Sequence, residues 1–310
     1  MSYTVIMVII TRSKPTKAGK FLKHLVENYG KPVFQPFELF ALIMVLYQHP
    51  ADIKLYLRKT HADYDEYRRF KVMLHDMDIL RNDQDYGKRA LRILTIADCP
   101  ADEIVCLVDP TCYVSHLSAM QRWGLTNRSP KNLMLTRPDR STWQVMLRQF
   151  RHKILSEQKI LNEDLIEMMP IHVLEHPKRV RGQNIQMYST KSFGMSLTSR
   201  GSHMRISTIG QTFLDMLQKP DLCGGMSHVL DVFEEHATTY LDQIISTINQ
   251  SNRGLVKSRS CYILQEYLGL KHPDIDQWKI FSQRGGSRKL DPSKDFSPTY
   301  SETWMVSINV

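Results

Sequence analysis

Residues 36–47, Pro36-Phe-Glu-Leu-Phe-Ala-Leu-Ile-Met-Val-Leu-Tyr47, are apolar on almost every side of a helix. A helix without a polar stripe has to be covered all round, so this segment predicts a folded unit built about it from its neighbours in the chain. Pro36 suits the first turn of such a helix, and His49-Pro50 stops it.

The neighbours have the right patterns. Lys17 to Tyr29 predicts a helix with Thr16 as its N-cap, an apolar stripe of Phe21, Leu22, Leu25 and Val26, and Gly30 at its end. Lys17, Lys20 and Lys23 lie on the other side. Asp63 caps a third helix over residues 64–77, whose Tyr67, Phe70, Leu74 and Met77 follow a core-facing spacing. Arg68, Lys71 and His75 share another face, with Arg69 at its flank. Ile79-Leu80-Arg81, a polar turn (Asn82-Asp83-Gln84-Asp85-Tyr86-Gly87) and Lys88-Arg-Ala-Leu-Arg-Ile-Leu94 then predict a hairpin.

Two helices, a basic third helix and a hairpin form the layout of a winged helix-turn-helix. A helix fits the major groove, and the hairpin beside it reaches the neighbouring backbone or minor groove. The expected DNA-binding residues are Arg68, Arg69 and Lys71 on the helix and Arg81, Lys88, Arg89 and Arg92 on the wing. The plainer alternative is a helix and hairpin that form an interdomain interface with solvated charges. Asp76, Asp78, Asp83 and Asp85 lie close by and would repel phosphate if they faced it. The link between the second and third helices is also longer than a minimal motif needs.

Charge favours the first reading. The chain carries a net +9. Residues 1–95 hold sixteen Lys and Arg against ten Asp and Glu, so two thirds of the excess sits in the first third of the sequence. A basic domain of this kind is suited to nucleic acid. Length supports two domains, 1–95 and 96–310, with a boundary at Ala97–Ala101. The fold class expected is α+β, an N-terminal winged helix-turn-helix followed by a larger mixed α/β domain.

Other classes are disfavoured. The apolar run Tyr3–Ile10 is far shorter than the roughly 20 residues of a spanning helix, and its basic residues follow rather than precede it, unlike a signal peptide. A cytoplasmic protein without a membrane partner is expected. Cys99, Cys106, Cys112, Cys223 and Cys261 are odd in number and lack metal-ligand spacing, so reduced cysteines are expected. His172 and His176 are four apart, but Pro177 follows at once, so no metal site is assigned there. Carboxylate pairs for Mg²⁺ are not clustered: Asp102/Glu103, Glu234/Glu235 and Asp274/Asp276 lie in unrelated segments. No phosphate-cradling glycine motif occurs. No catalytic residue and no cofactor is assigned.

In the second domain, Glu103 to Val108 predicts a strand, and Tyr113 to Trp123 a helix ended by Gly124. Ser115 and His116 are adjacent, which on a helix points them about 100° apart and prevents a dyad. Tyr113, Leu117, Met120 and Leu125 are expected in the core. His228 to Asn249 predicts one long helix, with Val229, Val232, Phe233, Ala237, Tyr240, Leu241, Ile244, Ile245 and Ile248 inward. Gly201-Ser-His-Met-Arg205 is flanked by strand-like residues. Residues 120–155, residues 172–205 and the tail around Arg284, Arg288 and Lys289 are locally basic.

The stretch Tyr113-Val-Ser-His-Leu-Ser-Ala-Met-Gln-Arg-Trp-Gly-Leu-Thr126 resembles the antitoxin and transcriptional-regulator family of AbiE-type (type IV) toxin–antitoxin systems. Trp123 stands where the family has His, and Met120 where it has Leu. Ile206-Ser-Thr-Ile-Gly-Gln-Thr-Phe-Leu-Asp-Met-Leu217, leading to Pro220-Asp-Leu-Cys-Gly-Gly225, is similar to a second family stretch, with Gln211 where Arg is common. Ser287-Arg-Lys-Leu-Asp-Pro and Tyr300-Ser-Glu-Thr-Trp follow in family order, while the first third matches by layout alone. The resemblance implies a C-terminal antitoxin domain, a cognate nucleotidyltransferase-like toxin as partner, and repression of the protein's own promoter on double-stranded DNA. The alternative is a stand-alone winged-helix regulator whose second domain senses a ligand or mediates assembly.

Overall fold

Thr16 starts the first described helix, its hydroxyl accepting from Gly19 N at 3.1 Å. The computed structural model describes residues 16–48, 55–160, 165–169, 174–282 and 288–310. The segment Tyr3–Ile10, the His49-Pro50 stop, His172 and Arg284 lie outside them.

In chain order the elements begin with α1 (Lys17–Glu27), β1 (Val33–Phe34), α2 (Pro36–Gln48), α3 (Tyr64–Asp76), β2 (Leu80–Asp83) and β3 (Gly87–Ile93). They continue with α4 (Ala101–Val108), β4 (Tyr113–Val114), α5 (His116–Arg122), β5 (Leu133–Pro138), α6 (Arg140–Glu157) and α7 (Leu165–Met168). Then come β6 (Arg179–Val180), β7 (Gln183–Thr190), β8 (Ser196–Thr198), β9 (Arg205–Ser207), α8 (Ile209–Gln218), α9 (Met226–His236) and α10 (Leu241–Gln250). Finally there are α11 (Gly254–Cys261), α12 (Pro273–Gln277), β10 (Tyr300–Ser301) and β11 (Val306–Ser307). The protein is thus mixed α and β. No helix among the described residues is long and apolar enough to cross a membrane.

The chain forms two units. One contains the described residues of 1–100, 107–110 and 144–177; the other those of 101–106, 111–143 and 178–310. In the first, α2 is buried on nearly all sides, as its composition requires: Phe37, Leu39, Phe40, Leu42, Ile43 and Leu46 are almost wholly inaccessible. Leu22 and Val26 of α1, Tyr67, Phe70 and Leu74 of α3, and Leu91 and Ile93 of β3 complete that core. Ile154, Leu155, Ile160 and Met169 join it, so a boundary at residue 95 leaves out part of this unit's core. Asp63 caps α3 by accepting from Glu66 N at 2.9 Å. The hairpin pairs Leu80 with Ile93 and Asn82 with Leu91. β1 adds to it antiparallel, giving the order β1-β3-β2.

The second unit holds a six-stranded sheet, β6-β7-β5-β4-β9-β8, mixing parallel (β5/β7, β4/β9) and antiparallel pairs. A helical core built on Phe213, Phe233, Ile244, Ile248 and Trp304 belongs to the same unit. Glycine is required at one crossing: a Cβ on Gly210 of α8 would lie 2.2 Å from Thr247 Oγ1 and 2.3 Å from the Gln243 carbonyl oxygen, both on α10. Gly210→Ala is therefore expected to destabilise the unit by about 1–3 kcal/mol through overpacking. Equilibrium denaturation checks this, and an unchanged midpoint would show that the helices part without cost.

Three expectations about elements are corrected. Residues 101–108 are a helix, not a strand. Asp102 and Glu103 fill its first turn, where carboxylates favour a helix, and Asp102 Oδ1 accepts from Glu103 N at 3.0 Å. The β-branched run after them is buried on all sides, which satisfies either secondary structure. Residues 113–123 split into strand β4 and helix α5, with Ser115 as the N-cap residue. The single helix expected over 228–249 breaks into α9 and α10 around Thr238-Thr239, two β-branched residues of low helix propensity.

Candidate nucleic-acid interface

The third helix buries Tyr67, Phe70 and Leu74 and turns Arg68, Lys71, Val72 and His75 the other way, three and four residues apart on one face. Arg68 is exposed, its guanidinium 5.4 Å from the Tyr64 ring centre. Lys71 is half-buried, and burial together with the ammonium of Lys88 holds its pKa below the usual lysine range. Val72 is 59% exposed, an apolar residue standing clear of any core. A recess of about 260 Å³ runs between the helix and the hairpin, lined by Lys71, Val72, His75, Leu80, Arg81, Asn82 and Leu91.

The seven cations expected from the sequence divide into two groups. Among the described residues, no ion pair includes Arg68, Lys71, Lys88 or Arg89. Lys88 and Arg89 are exposed on β3, and Arg89 donates to the Glu175 carbonyl at 2.8 Å.

The other three are engaged in the fold. Arg69 grips the buried Glu66 with two bonds of 2.9 and 2.5 Å, and the Tyr47 hydroxyl donates to the same carboxylate. These donors, Arg69 foremost, hold the Glu66 carboxyl below its ordinary pKa. Arg81 pairs with Asp78 and donates to the His75 carbonyl at 2.6 Å. Arg92 donates to the Pro32 and Ile96 carbonyls at 3.0 and 2.6 Å and lies 3.6 Å from Asp98. A guanidinium spent on a carboxylate or on several carbonyls is a poor phosphate ligand, whereas Arg89 gives a single bond and stays exposed.

Two of the four neighbouring acids that were a concern in the sequence, Asp83 and Asp78, are used locally. Asp83 is buried and caps the turn, accepting from Asp85 N and Tyr86 N at 3.0 Å each. Asp78 is tied to Arg81. The residue sequence reasoning passed over is Val72. Its signal was present: it lies four residues after Arg68 and off the 67/70/74/77 core stripe, so an apolar side chain there has no core to join.

The second unit holds one arrangement the sequence argued against. Ser115 is extended at the end of β4 and His116 takes φ +51°, and this bend brings Ser115 Oγ within 2.8 Å of His116 Nδ1. The 100° separation applies only between two helical residues; Ser115 precedes α5, and His116 opens it with a φ that is not helical. Thr136 donates to Ser115 Oγ at 2.8 Å. Burial, then Lys219, lowers the His116 pKa to about 4, so the ring is neutral. Ser115 and His116 are 0% and 1% exposed, which gives a substrate no route to the hydroxyl.

The cysteines are free thiols, four of them buried and Cys99 half-exposed. His176 bonds to Asp109 and Tyr86. In the tail, Arg288 donates to Ser258 Oγ and Lys289 to the Lys294 carbonyl.

No family model and no curated protein matches the chain. Among solved structures it is similar to the crystal structure of the RV2827C protein from Mycobacterium tuberculosis, at 8% identity over 95% of this chain and 92% of that one, with a TM-score of 0.45.

Proposed function

We propose that the protein is a DNA-binding antitoxin that acts in the cytoplasm, represses its own operon through an N-terminal winged helix, and counteracts a nucleotidyltransferase-type toxin through its larger C-terminal part. The element order from α1 to β3, with the three-stranded β1-β3-β2 sheet, supports the winged helix. The observation that carries the DNA reading is the face of α3. Arg68 and Lys71 stand there without carboxylate partners among the described residues, and Lys88 is exposed at the start of β3. Cations left unpaired on a projecting helix and hairpin are arranged for the phosphates of a duplex. Val72 between them offers methyl groups to a thymine methyl in the major groove.

The antitoxin half of the proposal rests on the family-like segments 113–126 and 206–225. It requires a toxin reading frame beside this gene. Co-expression with that toxin is expected to restore growth, and the purified protein is expected to retard a fragment of its own promoter. Retardation without rescue would leave a stand-alone regulator; rescue without retardation would remove the DNA function.

A further inference from the structure

The hairpin does not stand alone. Its turn is fastened to a distant part of the first unit through Tyr86. The Tyr86 hydroxyl lies 2.9 Å from His176 Nδ1, and the two rings meet edge to face with centres 5.7 Å apart. On the far side of the imidazole, His176 Nε2 lies 3.1 Å from Asp109 Oδ2. A carboxylate only accepts, so Nε2 carries a proton and donates to Asp109, and Nδ1 of a neutral ring accepts the Tyr86 O–H. Tyr86, His176 and Asp109 thus form one continuous hydrogen-bonded chain. The His176 side chain is 4% exposed and that of Asp109 1%, so water competes little for these bonds. One residue before His176, the Glu175 carbonyl accepts from Arg89 at 2.8 Å.

We propose that His176 is a positioning residue for DNA binding: with Glu175 it clamps the hairpin turn, fixing Lys88 and Arg89 relative to α3. This rests on the DNA reading given above. β1 pairs only with Leu91 and Arg92, so toward its turn the hairpin is two-stranded, and a hairpin tip is ordinarily its most mobile part. Asp83 shapes the turn from within, and Tyr86 and Arg89 tie it to residues more than eighty positions away. A clamp at this point reduces the ordering cost that the wing meets on reaching a phosphate. It touches no nucleotide itself, being buried behind the tip.

The test uses the full chain and two readouts. Hydrogen exchange of residues 84–90 is measured without DNA for the native protein, Tyr86→Phe and His176→Ala, with α3 as the internal reference. Tyr86→Phe keeps the ring and removes one bond, so it is expected to fold. The proposal expects exchange at 84–90 to quicken about fivefold or more in both variants while α3 stays protected. Affinity for the promoter fragment should fall by a similar factor, with the salt dependence unchanged because every cation remains. Unchanged exchange at 84–90, or equal acceleration of α3 in Tyr86→Phe, overturns the clamp. If the native protein fails to bind its promoter while the exchange pattern responds as expected, the clamp stands and the DNA reading falls.

Discussion

Asp215→Asn is expected to make the second unit more stable at pH 8, by roughly 4 kcal/mol at most, and to give its stability a new dependence on acidic pH. Asp215 is wholly enclosed on α8. Gln211 Nε2 donates to its Oδ1 at 2.7 Å, and its Oδ2 has no partner. Burial raises its pKa from 3.8 to about 7 against the opposing effect of Gln211. A carboxyl raised in the fold stabilises fully below about pH 3.8 and loses that contribution as pH climbs to about 7. His116 behaves oppositely. Lowered from 6.5 to about 4, it contributes fully above pH 6.5 and loses that contribution as pH falls toward 4.

Between about pH 4 and 6.5 the two slopes oppose each other, one proton against one, and nearly cancel. Removing the Asp215 charge leaves the His116 slope alone. Stability of the variant should then rise with pH by about 1.4 kcal/mol per unit across that window. All four tryptophans (Trp123, Trp143, Trp278 and Trp304) belong to the second unit, so intrinsic fluorescence during urea denaturation follows its unfolding. A variant with native stability at pH 8 and a native profile at acid pH would mean that Asp215 is ionised and solvated in the fold.

Asp215 shows where sequence reasoning stops. Helix periodicity on α8 identifies Phe213 and Leu217 as inward, but Gln211 and Asp215 are buried as well, four residues apart on one stripe. Hydropathy assigns such residues to solvent. Only the close packing around α8, with Gly210 against α10, encloses them. The first unit was far more legible. Thr16, Asp63 and Pro36 announced their helices, and the 67/70/74 stripe stated which way α3 faces. β1 was not legible: two residues are too few to alternate, and Val33-Phe34 becomes a strand only because β3 presents Leu91 and Arg92 to it. Helix α4 was misread for a related reason. A short apolar run buried all round carries no period, and its acidic first turn was the cue that mattered.

The cations show the same limit. Arg68 and Arg69 are adjacent and identical in sequence, yet one is exposed over Tyr64 and the other grips the buried Glu66. Composition treats them alike; helix phase separates them, because Glu66 lies one turn before Arg69 on the inward side. The same division decides what each substitution should do. Removing Arg68, Lys71 and Lys88 together should leave the fold intact, since Arg68 and Lys88 are exposed charges that contribute within about 0.5 kcal/mol each and the half-buried Lys71 has no ion pair to lose. Removing Arg69 or Arg92 should lower the melting temperature, because the buried Glu66 loses its partner and the Pro32 and Ile96 carbonyls lose their donor.

The most direct measurement is a titration of the protein against its own promoter at several salt concentrations. It should include the native chain, the triple variant Arg68→Ala/Lys71→Ala/Lys88→Ala, and Arg92→Ala. Every cation withdrawn from a phosphate flattens the log K against log[salt] slope by about 0.9. The triple variant is expected to bind roughly 100-fold more weakly with a slope shallower by about 2.7, and Arg92→Ala to keep the native slope. A triple variant that folds and binds with the native affinity and slope would show that α3 and its hairpin do not face DNA.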